Sequence, residues 1–329
     1  MIFAGGIYHN EIPAFMKPYL QSDAMQRLKH IDMNCGMNYT SFPLFENIEA
    51  YSRFHHSLGC ALIVWHFTHD EVQSLAALFH DIATPVFSHV VDFVYGDYLS
   101  QEVTENKTAE FIRNDRCIMA QLDLDNISLE QVSDYHIYPV ADCDAPGLCA
   151  DRLEYIFGDL LDYRYADEDD LRRLYNDLTV IPNEEGVNEL SFLHEECGAQ
   201  FALYALKCGR IYSGDENRYA MEYLAAIIRE AMREGNLCEK DLFTREEDVL
   251  HTLEKSSLKE RIGFFRRMNE TVKCAVNDPD ARMIDAKKRY VDPLCVNGMR
   301  ISKCSEAVNK EIQQFLNTDY HYYLKGIIR

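Results

Sequence analysis

The 329-residue chain is predicted to be all-α. Apolar residues recur at helical spacing through most of it, helix-start signals precede the strongest runs, and strand-like alternation is scarce. Segment 53–67 (RFHHSLGCALIVWHF) is an apolar helix, buried nearly all round. Segment 70–81 opens on Asp70, has Gln73 three residues later in a capping-box pattern, and continues VQSLAALFHD with one broad apolar face. Pro85 stops that helix, and 86–95 (VFSHVVDFVY) begins another. Further helices are predicted at 104–114, 147–162, 168–176, 192–212, 216–234, 245–255, 257–270 and 304–316. Strand-like stretches are confined to 178–182 and 135–140. The acidic cluster 167–170 caps the helix that follows it. Charge returns toward neutral after about residue 255, which predicts a main helical domain over 1–235 and a smaller C-terminal helical subdomain over 236–329.

Thirty-three Lys and Arg face 54 Asp and Glu, a net charge of −21. Such a chain repels nucleic acid and anionic membranes unless a basic patch is concentrated locally. The nearest candidate, Lys287-Lys288-Arg289, reads as a solvated helix end, so neither nucleic acid nor membrane is expected as a partner. No window approaches the roughly 18 apolar residues of a membrane span. Met1 to Phe15 has no basic stretch followed by a sustained apolar core, so no signal peptide is expected. Eleven cysteines without a C-x-x-C pair read as free thiols of a reducing cytoplasm. Phosphate-binding glycine loops and a nucleophile elbow are absent from the sequence.

The strongest chemical signal is His80-Asp81, which closes an apolar helical run. Burying both groups is costly unless a partner satisfies them, and a divalent metal would do so. His69-Asp70 is a similar pair with a plainer explanation, since Asp70 is placed to cap a helix. His80-Asp81 has company: His56 lies inside the 53–67 helix and Asp151 opens a third apolar helix. Each alone reads as a hydrogen-bonded core residue. Together they make a four-ligand nitrogen and oxygen set suited to one Mn, Fe, Ni, Co, Zn or Mg ion. His55 is expected to face away, because adjacent helical residues differ by about 100°.

The order H…HD…D, met by His56, His80-Asp81 and Asp151, resembles the HD-domain metal-dependent phosphohydrolases, in particular the branch that contains the deoxynucleoside triphosphate triphosphohydrolases. Flanking residues extend the likeness: Gln26-Arg27-Leu28-Lys29 with Ile31, Phe42-Pro43, and R-F-x-H-S-L-G at 53–59. So do H-D-I-x-x-x-x-F-S-H at 80–89, D-R-L-E-Y at 151–155 with Asp159, Arg210-Ile211-Tyr212 and Tyr290-Val291-Asp292-Pro293. The resemblance implies an HD-type helical bundle in which His56, His80, Asp81 and Asp151 ligate the metal. It implies that Arg53, His89, Arg152 and Tyr155 contact substrate phosphate, and that Asp159 and Tyr212 lie near a sugar. Asp81, His89 and Asp92 would carry catalysis, with Asp92 at the position of a carboxylate that orients a catalytic His. Two further histidines, as in dinuclear relatives, could come from His89 and His136, but the spacing to His89 favours one metal.

The chain also departs from that pattern. Thr84 and Thr104 stand where the triphosphate-cleaving relatives carry His, which leaves Asp92 without that imidazole to orient. Met33 replaces a base-reading Gln, Tyr212-Ser213-Gly214-Asp215 lacks a basic pair, and an apolar or aromatic residue near Tyr204 replaces a clamp Arg. Thr cannot act as a general acid near neutral pH as imidazole does. The expectation is a metal-dependent hydrolase of a nucleotide or other small phosphoester, possible as a homo-oligomer. The alternative is a nucleotide-binding or regulatory protein that keeps the metal site.

Overall fold

A computed structural model of the chain describes residues 5–8, 11–46, 48, 51–96 and 107–329. It is mostly helical. The apolar 53–67 run forms helix Arg53–Thr68, buried along most of its length from Arg53 to Val64. Asp70 caps the next helix, Glu71–Phe79, by accepting from the Val72 and Gln73 amides at 2.9 and 3.1 Å, while the Gln73 side chain returns to Asp70. Helix Ala150–Asp162 packs across helix Arg53–Thr68. That crossing depends on two glycines. A Cβ on Gly59 would lie 2.4 Å from Glu154, and one on Gly158 would lie 2.4 Å from the Tyr51 ring.

One apolar core joins these three helices to Glu195–Tyr212 and Glu306–Leu316. A second gathers Val90–Tyr95, Asp215–Arg233, Glu246–Lys255 and Lys259–Arg267. Both cores therefore draw on residues from the two sides of position 235. Among the described residues no helix is long and apolar enough to cross a membrane. All eleven cysteines are free thiols.

Two small sheets tie the helices together. Leu178–Pro182 pairs antiparallel with Asn188–Phe192, which pairs parallel with Leu294–Cys295. Glu270–Lys273 and Arg282–Met283 flank Tyr323–Ile327, both antiparallel. The C-terminal part is thus mixed rather than purely helical. The helix expected to reach 270 ends at Arg267, and Tyr323–Ile327 near the end of the chain is a strand. Residues 135–140 are not a strand: Tyr135–Ile137 is a 3-10 turn capped by Asp134. The predicted helix 104–114 is described from Thr108 onward, to Asn114.

The largest departure within the site region is at 86–89. Phe87 and Ser88 take left-handed φ values of 57° and 48°, and the helix begins only at Val90. A partner distant in sequence imposes this turn. Buried Glu246 accepts from the Phe87 amide at 2.9 Å, from the Asp32 amide at 3.3 Å and from the Tyr39 hydroxyl at 2.9 Å. The Leu242 carbonyl takes the Val86 amide at 2.8 Å. Non-glycine residues in this region cost energy and persist only where their surroundings hold them.

Burial, reinforced by the Asp32 carboxylate, pushes Glu246 from the usual 4.5 up to about 8. The folded state therefore keeps a proton that the unfolded chain releases between those values. This proton linkage makes stability fall as pH rises through that window. Glu246→Gln keeps an oxygen for the amides and should flatten the fall in melting temperature between about pH 5 and 8. Glu246→Ala orphans three donors and should cost roughly 2–4 kcal/mol. Thermal melts at several pH values check both, and parallel slopes for wild type and Glu246→Gln would contradict the account.

Candidate metal centre and its cavity

Four segments converge at the floor of a cavity of about 670 Å³. His56 comes from the middle of helix Arg53–Thr68, and His80 caps the C-terminal end of Glu71–Phe79. Asp81 follows in the turn, and Asp151 sits in the first turn of Ala150–Asp162, where a carboxylate is favoured by the helix dipole. The structure thus gathers the four residues picked out as a metal set.

The imidazole geometry is specific. His56 Nδ1 lies 2.6 Å from the Glu154 Oε2 carboxylate oxygen, and His80 Nδ1 lies 2.7 Å from the Ala77 carbonyl. Both acceptors lack a proton to give, so each Nδ1 carries the hydrogen, which leaves both Nε2 atoms as lone-pair donors when the rings are neutral. Those two Nε2 atoms are 3.1 Å apart. Asp151 Oδ1 is 3.0 Å from His56 Nε2 and 3.6 Å from His80 Nε2, and Asp81 Oδ2 is 3.8 and 3.6 Å from the same atoms. Lone pairs and carboxylates directed at one point repel unless a positive charge lies among them. Two nitrogens bound about 2.1 Å from one ion at a right angle would be about 3.0 Å apart, close to the observed separation. The residues present therefore fit a divalent metal. Burial opposes charge on both rings, yet the neighbouring carboxylates, Asp151 for His56 and Asp81 with Asp151 for His80, raise their affinity for protons. Protons and metal then compete for the same nitrogens.

The surroundings fix each of these side chains. Glu154 is fully buried and takes the Tyr51 hydroxyl on the oxygen that faces His56. Arg53 NH1 pairs with Asp81 Oδ2 at 2.8 Å, and Arg53 Nε donates to Ser88 Oγ at 3.0 Å. Burial would raise the Asp81 carboxyl, but Arg53 and the two histidines hold it well below the usual carboxylate range. Thr84 Oγ1 donates to Asp81 Oδ1 at 2.6 Å and so orients that carboxylate. Thr104 lies outside the described residues. His55 turns back to Ser52, away from the site.

His89, Tyr155, Asp159, Tyr212 and Arg152 all line the cavity. Asp92 does have an imidazole to hold: its Oδ2 lies 2.9 Å from His89 Nδ1. Burial lowers His89, as do Arg289 and Arg53, against the pull of Asp92. Tyr155 stands with its ring 6.5 Å from that of His56, and Asp159 accepts from Tyr212. Burial raises Asp159 to about 7. Arg152 spends its donors on the 143–147 loop, with NH1 on the Gly147 carbonyl at 2.9 Å and NH2 on the Cys143 carbonyl at 2.7 Å.

Sequence reasoning missed several neighbours. Cys60 Sγ lies 3.7 Å from His56 Nδ1, and it joins His56, His80 and Asp151 as a possible donor. The His56/Cys60 spacing of four was the available signal. Burial pushes its thiol up to about 12, so it stays protonated and suits the wall of the site better than the ligand set. Glu154 and Ser88 stood inside quoted motifs without an assigned part. Lys287 and Arg289 line the cavity from an irregular stretch, which corrects their reading as a solvated helix end.

Partners that hold a ligating imidazole by its second nitrogen typically change metal affinity 10- to 100-fold when removed. Glu154→Gln should weaken Mn binding by that order while leaving the fold intact, as read by metal titration alongside circular dichroism. Unchanged affinity would contradict the role given to Glu154.

No family model matches the chain. The uncharacterized protein YdhJ of Bacillus subtilis is 23% identical over 328 residues, which cover 97% of this chain and 95% of that protein. The metal-dependent phosphohydrolase cns2 of Cordyceps militaris is 25% identical over 231 residues, covering 68% of this chain and 64% of its own length. Among solved structures, a phosphohydrolase from Bacteroides thetaiotaomicron superposes with a TM-score of 0.66 at 15% identity, covering 97% of both chains. The chain therefore shares its fold with a solved phosphohydrolase, and within that fold His56, His80, Asp81 and Asp151 converge on one point.

Proposed function

We propose that the chain is a metal-dependent phosphohydrolase acting on a nucleotide or other small phosphoester. The observation that carries this reading is the pair of Nε2 lone pairs 3.1 Å apart, flanked by Asp81 and Asp151, at the base of a cavity large enough for a small substrate. His56, His80, Asp81 and Asp151 would hold one divalent ion, which would polarise a phosphoryl oxygen and activate water. The protein supplies the rest. Arg53 offsets the charge of Asp81 without leaving the cavity wall. His89, its Nδ1 hydrogen directed to Asp92, keeps Nε2 to take or give a proton. The Tyr155 and Tyr212 rings, 6.1 Å apart and set edge to face, offer an aromatic corner for a sugar or base, with the Asp159 carboxyl beside them.

One observation favours a second reading, a metal-keeping nucleotide sensor. The Thr84 hydroxyl is committed to Asp81 and supplies no imidazole. The His89–Asp92 pair supports the enzyme instead, because it returns an oriented imidazole to the cavity.

A panel of nucleotides and phosphoesters with Mn-loaded protein, its products resolved by chromatography, separates the two. Hydrolysis is expected, lost by at least about 100-fold in His80→Ala, and Asp151→Ala should lose its metal. No turnover with metal retained would move the assignment to the sensor. Full metal content in Asp151→Ala would remove the site.

A further inference from the structure

Helix Glu71–Phe79 ends directly before His80 and Asp81, and the chain runs on to Thr84 as a turn. A helix C-terminus leaves carbonyls without amide partners. Two bonds of this turn are local, from the Ile82 amide to the Phe79 carbonyl at 3.0 Å and from the Thr84 amide to the Asp81 carbonyl at 2.8 Å. The carbonyls of Ile82 and Thr84 instead accept from one distant atom, Arg27 Nη2, at 3.0 and 2.8 Å. Among the described residues no other donor reaches either carbonyl. Ile82 and Thr84 are both buried, so carbonyls left unmet there would be costly.

Arg27 closes helix Asp23–Arg27, 55 positions before Ile82. That helix is anchored on its own account. Asp115, which caps helix Arg116–Asp125, accepts from the Ala24 amide at 3.0 Å, and the Arg27 guanidinium lies 5.3 Å from the centre of the Phe111 ring. Arg27 spends its hydrogens unevenly. Both hydrogens of Nη2 go to the two carbonyls, while Nε and Nη1 are buried without a hydrogen-bond partner. Unpaired buried donors on a charged group cost stability, and the fold bears that cost for two bonds to a single turn. Burial lowers the guanidinium to about 10, so it keeps its charge at neutral pH. A cation at the C-terminal end of a helix is also favoured by the helix dipole.

What the turn presents is Asp81. Its Oδ2 pairs with Arg53 and its Oδ1 accepts from Thr84 Oγ1, so the direction of the carboxylate depends on where the main chain of Thr84 sits. We propose that Arg27 is a positioning residue of the metal centre: through the Ile82 and Thr84 carbonyls it holds the turn in the placement at which Asp81 faces the two imidazoles. Arg27 does not line the cavity, and it acts only through that turn. The role rests on the metal-centre part of the phosphohydrolase reading and not on turnover, so binding alone tests it.

Mn affinity is measured by titration for wild type, Arg27→Met and Arg27→Lys, at a temperature below every melting transition. Arg27→Met keeps an apolar stem against Phe111 and removes the donors. It should bind Mn at least about tenfold more weakly, the order seen when a partner that orients a metal-binding side chain is lost. Arg27→Lys should stay within about threefold of wild type, because one ammonium can donate to both carbonyls as Nη2 does. Asp167→Ala removes the cap of helix Glu168–Asn176, controls for lost stability alone, and should leave affinity unchanged. Wild-type affinity in Arg27→Met, or a loss that Arg27→Lys shares in full, overturns the positioning role. If Arg27→Met does not fold, Arg27→Gln, which keeps a donor on a shorter arm, takes its place under the same criteria. Wild type that binds no Mn removes the metal centre itself, and the role of Arg27 with it.

Discussion

Two imidazole nitrogens with lone pairs turned toward each other at 3.1 Å, beside two carboxylates, form an arrangement that needs positive charge to persist. Much of the architecture around it serves to hold that arrangement. Glu154 and the Ala77 carbonyl fix the tautomers from behind, and Arg53 offsets part of the acidic charge without entering the ligand set. Burial makes the arrangement consequential, because poorly solvated groups that face one another must be satisfied by protons or by a metal. The helix crossing that brings Glu154 to His56 exists only because Gly59 and Gly158 have no side chains to block it.

A second line of support reaches the same point from the other core. Glu246 holds the left-handed turn at Phe87 and Ser88, Ser88 accepts from Arg53, and Arg53 holds Asp81. The residue that starts this chain lies 165 positions after Asp81 and touches no ligand. The turn also presents His89, whose partner Asp92 lies in the first turn of the following helix. Ligands and candidate proton carrier are thus positioned by separate elements that meet at Arg53 and Ser88. Asp285, Lys287 and Arg289 line the cavity from a third, irregular stretch.

The four converging residues were legible in the sequence because they sit in strong local signals: His56 in an apolar helix, His80-Asp81 at the end of a capped one, and Asp151 at the start of a third. Helical periodicity likewise predicted the long helices, since their burial is set within one turn of chain. What the sequence concealed depends on distant partners. The turn at 86–89 reads as helix until Glu246 is placed beneath it. Leu294–Cys295 is too short to show alternation and exists only against Phe192. Lys287 and Arg289 read as a surface run because nothing in their neighbours reveals the close approach of this backbone to Gly209, where a Cβ would lie 2.3 Å from the Arg289 carbonyl oxygen. Asp92 takes its imidazole from His89, three residues back, and not from either position at which the resembled family carries one.

The central claim is that one divalent ion binds between the two Nε2 atoms. Anomalous scattering at the manganese edge from crystals of Mn-loaded protein addresses it most directly. The account predicts one strong peak bounded by His56 Nε2, His80 Nε2, Asp81 and Asp151, with Cys60 outside the coordination sphere. A peak placed instead among Asp142, Cys149 and Asp151, the neighbouring group of donors, or no peak in protein shown to be folded, would contradict it.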